Sequence, residues 1–138
     1  MRIGVGLWSI NVAEAVSTAS EDPYCQVGAV LLSRDRLILG TGYNGPPSGV
    51  EIDWSDRAER RRYVIHAEAN ALRLVTPGAA AGGTLAVTHF PCADCVRLAS
   101  AYGVREIYWR HPADWATYPR EPIDQVARTV RVKLTEIS

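Results

Sequence analysis

Two short segments of the sequence carry three residues of the types that bind zinc. The first is His-Ala-Glu at residues 66–68, and the second is Pro-Cys-Ala-Asp-Cys at residues 91–95. Two cysteines three positions apart at the start of a helix turn their sulfurs to one side, and thiolates together with an imidazole suit tetrahedral zinc. The fold must therefore bring both segments together, and the predicted zinc ligands are His66, Cys92 and Cys95.

The number of ligands indicates a catalytic site. A structural zinc ion usually has four protein ligands, whereas three leave a position for water, whose pKa the metal lowers toward about 7. Glu68 lies two residues after His66, close enough to reach that water and to carry protons from it to a leaving group. Glu68 is the predicted catalytic residue. Two alternatives stay open at this point, namely a structural zinc site and a redox pair formed by the two cysteines.

Both segments are predicted to begin helices. The free N–H groups and the dipole at the start of each helix would then face the metal and help to hold the cysteines as thiolates. Pro91, directly before Cys92, fits the entry of a helix.

The composition is that of a globular chain without a dominant charge. Its 138 residues are predicted to form one domain, 1–138, large enough to bury a hydrophobic core. Lys and Arg together number 15, as do Asp and Glu, so the zero net charge does not favour binding to a nucleic-acid backbone. The apolar runs are too short for a signal peptide or a membrane span. We expect a cytoplasmic protein without a membrane partner.

Hydrophobic periodicity predicts the order of helices and strands. Helices are predicted over residues 7–19, 65–75, 92–101 and 122–128, and strands over residues 27–32, 37–42, 85–88, 104–109 and 130–134. This order predicts a three-layer α/β/α sandwich with a five-stranded mixed sheet and both ligand helices on one face. The last two strands are predicted to be parallel, because about twenty residues with a helix connect them.

Residues 42–62 show no clear periodicity and are predicted to form a long loop. The loop starts with Gly-Tyr-Asn-Gly-Pro-Pro-Ser-Gly at residues 42–49 and continues as a polar, charged stretch. A loop of this length is usually functional or mobile. A substrate-binding loop and a plain surface turn are both compatible with it.

Four motifs together resemble those of a known family. They are Asp-Pro at residues 22–23 with Gln-Val-Gly-Ala at 26–29, Gly-Tyr-Asn-Gly at 42–45, His-Ala-Glu-x-Asn-Ala at 66–71, and Thr-His-Phe-Pro-Cys-x-x-Cys at 88–95. With them the chain resembles the zinc-dependent cytidine and deoxycytidylate deaminase superfamily, from the first helix to Trp109. It is most similar to the deoxycytidylate branch. The resemblance implies a sandwich of the cytidine deaminase type.

The resemblance also implies roles for individual residues. His66, Cys92 and Cys95 would bind zinc, and Glu68 would move protons. Asn44 would hydrogen-bond the sugar, and the backbone of Ala67 would hold the edge of the base. Pro91 and Trp109 complete the predicted set of substrate-contacting residues.

The implied reaction is hydrolysis of the 4-amino group of a cytosine nucleotide, most closely dCMP to dUMP plus ammonia. No organic cofactor is needed. The family further implies a homo-oligomer, either a dimer or a hexamer, and dCTP and dTTP act as effectors of many of its members.

Some positions depart from the family pattern. Cys25 stands where the family usually has Thr or Ser, and the segments between Asn44 and His66 and after Trp109 are shorter than in many relatives. Partners for a substrate phosphate are available among Arg57, Arg60, Arg61, Arg62 and Arg120. We hypothesise that at least one of them binds the 5′-phosphate, the alternative being a solvated charged surface.

Two other functions are alternatives to the deamination of dCMP. One is deamination of a free nucleoside, a nucleobase, dCTP or a base in nucleic acid. The zero net charge argues against nucleic acid, and Asp94 stands where the tRNA-adenosine and guanine branches often have Met. The other is a zinc protein without activity, against which the presence of Glu68 argues.

Overall fold

The computed structural model describes residues 2–138. Its helices are α1 (Val5–Ser17), α2 (Arg57–Tyr63), α3 (Ala67–Leu72), α4 (Ala93–Ala101) and α5 (Arg120–Val130). Its strands are β1 (Gly28–Leu32), β2 (Ile38–Tyr43), β3 (Thr84–His89), β4 (Glu106–His111) and β5 (Lys133–Glu136). Within the described residues, no helix is long and apolar enough to cross a membrane.

The five strands form one mixed sheet in the order β2-β1-β3-β4-β5. β1 pairs antiparallel with both β2 and β3, whereas β3, β4 and β5 are parallel. Each parallel pair is joined through a helix, α4 in the first connection and α5 in the second. The predicted five-stranded mixed sheet with its last two strands parallel is confirmed.

Helices cover both faces of the sheet, which confirms the predicted three-layer sandwich. On one face α1 packs through Ile10 and Ala13 against Val30, Leu32 and Ala86. On the other face α3, α4 and α5 enclose the larger core, which includes Leu31, Leu85, Val87, Val96 and Ile107. β1 is buried along its whole length because it lies between the two layers. Both ligand helices therefore share the face that the sequence predicted.

A glycine on β2 allows α3 to approach the sheet closely. A Cβ atom at Gly42 would lie 2.4 Å from the backbone oxygen of Ala67 and 2.4 Å from the backbone nitrogen of Ala71. No side chain fits at those distances. The absence of a side chain at this position thus allows α3, the helix that follows His66, to lie directly against the sheet.

The prediction of an uninterrupted loop over residues 42–62 is wrong, because Arg57–Tyr63 forms α2. Asp56 begins this helix by accepting hydrogen bonds from the backbone N–H groups of Ala58, at 2.9 Å, and Glu59, at 3.4 Å. None of the residues of α2 is buried. A helix that buries no face shows no hydrophobic periodicity, so the pattern that revealed the other helices was missing here.

The boundaries of two further elements differ from the prediction. α5 extends to Val130, where a strand over 130–134 was expected, and β5 starts only at Lys133. Arg131, with φ of 62°, ends the helix in the left-handed conformation. The alternation of Val130, Val132 and Leu134 thus spans a helix end, a turn and a strand, and only part of it reports a strand.

Candidate active site

The three predicted zinc ligands lie at the starts of two neighbouring helices. His66 is the residue directly before α3, Cys92 is the residue directly before α4, and Cys95 lies in the first turn of α4. His66 Nδ1 is 3.3 Å from Cys95 Sγ and 3.5 Å from Cys92 Sγ, and the ligand atoms of all three lie within 4.8 Å of one another. Zinc bond lengths at a tetrahedral angle require nitrogen–sulfur separations of about 3.6 Å. The three side chains therefore fit a zinc ion.

The protonation of the three groups is tightly linked. Hydrogen bonding with Cys95, followed by that with His66, lowers the pKa of Cys92 to about 4. Hydrogen bonding with Cys92 raises the pKa of His66 to about 9 and raises the pKa of the Cys95 thiol far above its usual range. The donor set thus already favours one thiolate, and a cation that binds it must displace the remaining protons.

Glu68 is a buried carboxyl group beside this donor set. It is the second residue of α3 and only 4% exposed. Burial raises the pKa of Glu68 above its ordinary value, while a hydrogen bond from its own backbone and the charge of His66 act in the opposite direction. A carboxyl group in such surroundings can hold a proton and pass it on.

A cavity of about 530 Å³ opens above these groups. Four of its lining residues, His66, Ala67, Glu68 and Cys92, lie at the starts of α3 and α4 and are here called the floor; the size of the cavity is typical of small-molecule sites. Its walls include Cys25, Val27, Asn44, His89 and Phe90, and its rim includes Arg57, Arg60, Arg61 and Tyr118. The fold thus brings together the predicted residues Asn44, Ala67 and Glu68 with two of the predicted zinc ligands in one cavity.

Asn44 lines the cavity, but internal hydrogen bonds occupy most of its side chain. Its Oδ1 accepts from the backbone N–H of Val27 at 2.9 Å, and its Nδ2 donates to Asp22 Oδ2 at 3.1 Å and to the backbone oxygen of Cys25 at 2.9 Å. Both amide hydrogens are used, which leaves one lone pair on Oδ1. A substrate hydroxyl can therefore only donate to Asn44.

His89 and Cys25 line the wall of the cavity, although neither belongs to the predicted set of substrate-contacting residues. Cys25 Sγ lies 3.5 Å from His89 Nε2, and His89 Nδ1 lies 2.7 Å from Thr88 Oγ1. Burial lowers the pKa of His89 and raises the pKa of Cys25, so both groups are neutral near pH 7. His89 lies at the carboxyl end of β3, next to the Cys92 segment, and this position was the available sequence signal for it.

Pro91 and Trp109 lie behind the cavity wall. Among the residues that the structure describes, the lining of the cavity includes neither of them, and both are buried. The ring of Trp109 packs edge-on against Phe90, with 4.9 Å between the ring centroids, and the guanidinium of Arg120 lies 5.3 Å from the Trp109 ring. Direct contact of Pro91 or Trp109 with substrate stays a prediction. In this structure both residues adjoin the cavity only through neighbours that line it, such as Phe90.

Comparison with known proteins agrees with the site. The family described as "Cytidine and deoxycytidylate deaminase zinc-binding region" matches residues 8–111, which include all three ligand positions. Deoxycytidylate deaminase of Homo sapiens is 33% identical over 132 residues, covering 87% of this chain and 74% of the human protein. Deoxycytidylate deaminase of Mycobacterium phage D29 is 34% identical over 116 residues, covering 72% of this chain and 89% of the phage protein.

A solved structure matches almost the whole chain. The crystal structure of dCMP deaminase from the cyanophage S-TIM5, in complex with dCMP and dUMP, has a TM-score of 0.83 and 26% sequence identity. The match covers 99% of this chain and 99% of the cyanophage chain. It therefore includes α5 and β5, which lie outside the family match.

Proposed function

The chain belongs to the cytidine and deoxycytidylate deaminase family and contains its zinc-binding region, and on this premise we propose that it hydrolyses dCMP to dUMP and ammonia. The observation that carries the proposal is the position of Glu68. This buried carboxyl group shares the floor of a nucleotide-sized cavity with a donor set that fits zinc. The similar human and phage proteins are deoxycytidylate deaminases, and the similar cyanophage enzyme binds dCMP and dUMP.

The floor of the cavity would supply the groups that the reaction needs. His66, Cys92 and Cys95 would hold zinc, which when bound supplies the Lewis acidity that activates a water molecule for attack on C4 of cytosine. Asn44 would accept a hydrogen bond from a sugar hydroxyl through the free lone pair of Oδ1. The backbone of Ala67 would hold the edge of the base. Together these contacts would orient C4 toward Glu68.

Glu68 would move the protons. Its carboxylate accepts a proton from the attacking water and donates it to N3 of the cytosine ring. A second proton passes through Glu68 from the new hydroxyl group to the 4-amino nitrogen. The C4–N bond then breaks, ammonia leaves, and C4 keeps the oxygen of water as the carbonyl group of uracil. The burial of Glu68 keeps bulk water from exchanging these protons.

The experiment is ammonia release by zinc-loaded protein across a panel of dCMP, dCTP, deoxycytidine, cytosine, adenosine and guanine. We expect turnover of dCMP above all others, and none after the metal is removed with a chelator. Preference for another member of the panel would replace dCMP as substrate while leaving the roles of the floor residues intact. Absence of turnover with every member would contradict the proposed function.

The assembly and regulation of the protein are further parts of the proposal. A homo-oligomer, dimer or hexamer, is supported by exposed apolar side chains, among them Leu74 at 85% and Leu37 at 67% exposure. Light scattering after size exclusion measures the mass of the particle, and a monomer would contradict this part. Effects of dCTP and dTTP, a cytoplasmic location, and a single domain over residues 1–138 stay predictions from the sequence.

A further inference from the structure

Two arginines of α2 face the cavity without an acidic partner. Arg57 and Arg61 both line it, and they lie four residues apart, which puts them on the same side of the helix. No carboxylate group within residues 2–138 lies within 4.0 Å of either guanidinium group. The two positive charges are therefore available to a ligand in the cavity.

The third arginine of the rim has a structural partner. Arg60 donates a hydrogen bond to the backbone oxygen of Trp54, and its guanidinium lies 4.6 Å from the centre of the Tyr24 ring. These contacts join α2 to the segment directly before it and to the segment between α1 and β1. Arg60 thus supports the rim, and its donors are partly used.

The remaining candidate arginines point elsewhere. Arg62 is not part of the cavity lining, and its guanidinium lies 5.9 Å from the ring of Tyr63. Arg120 pairs with Asp124 at 3.1 Å and lies 5.0 Å from the ring of Phe90, again outside the lining. Of the five arginines that the sequence offered, these two do not line the cavity.

Asp22 also lines the cavity, and its carboxylate is hydrogen-bonded to donors near it and forms no ion pair with the arginines of α2. Asp22 Oδ1 accepts from the backbone N–H groups of Tyr24 at 2.8 Å and Cys25 at 3.2 Å, and Oδ2 accepts from Asn44 Nδ2. Glu68 is buried at the opposite, inner end of the site. The rim at α2 is accordingly the electropositive end of the cavity.

We propose that Arg57 and Arg61 together bind the 5′-phosphate of the substrate, and that they make the enzyme select nucleotides over nucleosides. The inference rests on the proposed function, because a base at Glu68 and a sugar at Asn44 leave the phosphate to the rim. Planar guanidinium groups donate paired hydrogen bonds to phosphate oxygens, which fits two such groups on one side of a helix.

The test compares kcat/KM for dCMP with kcat/KM for deoxycytidine in R57Q, R61Q and R62Q. In R57Q and in R61Q we expect the ratio of the two values to fall at least about tenfold, since each change removes hydrogen bonds to a charged group. R62Q is the matched control, because it removes the same charge from the same helix outside the cavity, and its ratio should stay within about twofold of wild type. R57K should lose less than R57Q.

Three outcomes would overturn the inference: equal kcat/KM for dCMP and deoxycytidine in the wild type, an unchanged ratio in R57Q and R61Q, or an equal fall in R62Q. If no substrate is turned over, calorimetric binding of dUMP and deoxyuridine takes the place of kinetics. A preference for dUMP that R57Q and R61Q abolish would then support the phosphate site while the deaminase proposal fails. Equal binding of the two ligands would overturn the phosphate site itself.

Discussion

The floor and the rim of the cavity are built in different ways. The floor residues His66, Glu68 and Cys92 stand at the starts of α3 and α4, as does the third ligand Cys95, and these two helices pack on the sheet through the larger core. The rim consists mainly of α2, none of whose residues is buried. Movements of the floor would disturb the core, whereas the rim can change without unfolding the protein.

We infer that the floor carries out the chemistry and that the rim selects the substrate. Proton transfer and metal binding need atoms held to within a fraction of an ångström, and core packing provides that. Recognition of a charged phosphate tolerates looser geometry, because charge attraction acts over several ångströms. We therefore expect substitutions in the floor to affect every substrate and substitutions in the rim to affect only charged ones.

The largest effect is expected from Glu68→Gln. The amide keeps the size of the side chain but cannot accept and release a proton, so kcat should fall by about 10² to 10⁴ with both dCMP and deoxycytidine. Zinc content, measured by metal analysis, should stay at the wild-type level. Activity retained in this variant would remove Glu68 from the mechanism, and a loss confined to dCMP would contradict the separation of floor and rim.

The next effect concerns zinc and is tested with Cys95→Ser. Cys95 is buried in α4, and serine is not a usual zinc ligand. Zinc at one hundred times its Kd should stabilise the wild type by about 2.7 kcal/mol and the variant much less, as measured by urea unfolding. Cys25→Ser is the matched control, because it removes the thiol on the cavity wall, and it should retain zinc. Equal zinc content in both variants would contradict the predicted ligand set.

A smaller effect is expected from salt. The Debye length falls from about 30 Å at 0.01 M to about 8 Å at 0.15 M ionic strength. The KM for dCMP should rise several-fold over this range, because the exposed arginines of α2 attract the phosphate less. The KM for deoxycytidine, which carries no charge, serves as the control and should change little. Parallel changes for both substrates would show that the rim does not act through charge.

The smallest effect is expected from pH at His89, in the wall between floor and rim. Burial, followed by the nearby His111, lowers the pKa of His89, with Glu14 acting in the opposite direction and the neutral Cys25 thiol beside the ring. The unfolded chain, with a histidine pKa of about 6.5, then binds protons more readily than the folded one. The free energy of unfolding should therefore be highest above pH 6.5 and fall as the pH decreases.

His89→Gln should flatten this dependence. Urea unfolding at pH 7.5 and at pH 5.5 measures it, with saturating zinc in both proteins so that loss of metal does not contribute. Identical pH dependence of the wild type and the variant would show that the pKa of His89 does not differ between the folded and the unfolded state.

The elements with a buried face could be predicted from the sequence, and α2 could not. Apolar residues recur in α1, α4 and the strands because those residues meet the core, and this recurrence revealed the sheet and its layers. α2 buries none of its residues, and only Asp56, which accepts hydrogen bonds at its start, marks it locally. Its prediction as a loop was wrong for that reason.

The residues of the site also differ in how far the sequence could predict them. Its zinc ligands and Glu68 could be predicted because metal chemistry allows few residue types and few spacings. The sequence offered five arginines for a phosphate without a way to choose among them, since all are the same residue type. It also offered Pro91 and Trp109 as substrate contacts; both are buried and outside the cavity lining, and their contact with substrate stays a prediction.

The sequence by itself thus predicted the donor set, the proton carrier and the order of helices and strands along the chain, because each depends on residue type and spacing. Only the tertiary structure decided which side chains share the cavity. It separated Arg57 and Arg61 from Arg62 and Arg120, and it brought His89 and Cys25 to the wall. The physical reason is that the residues lining a cavity are distant in the chain. The directions of their side chains depend on how the helices pack on the sheet.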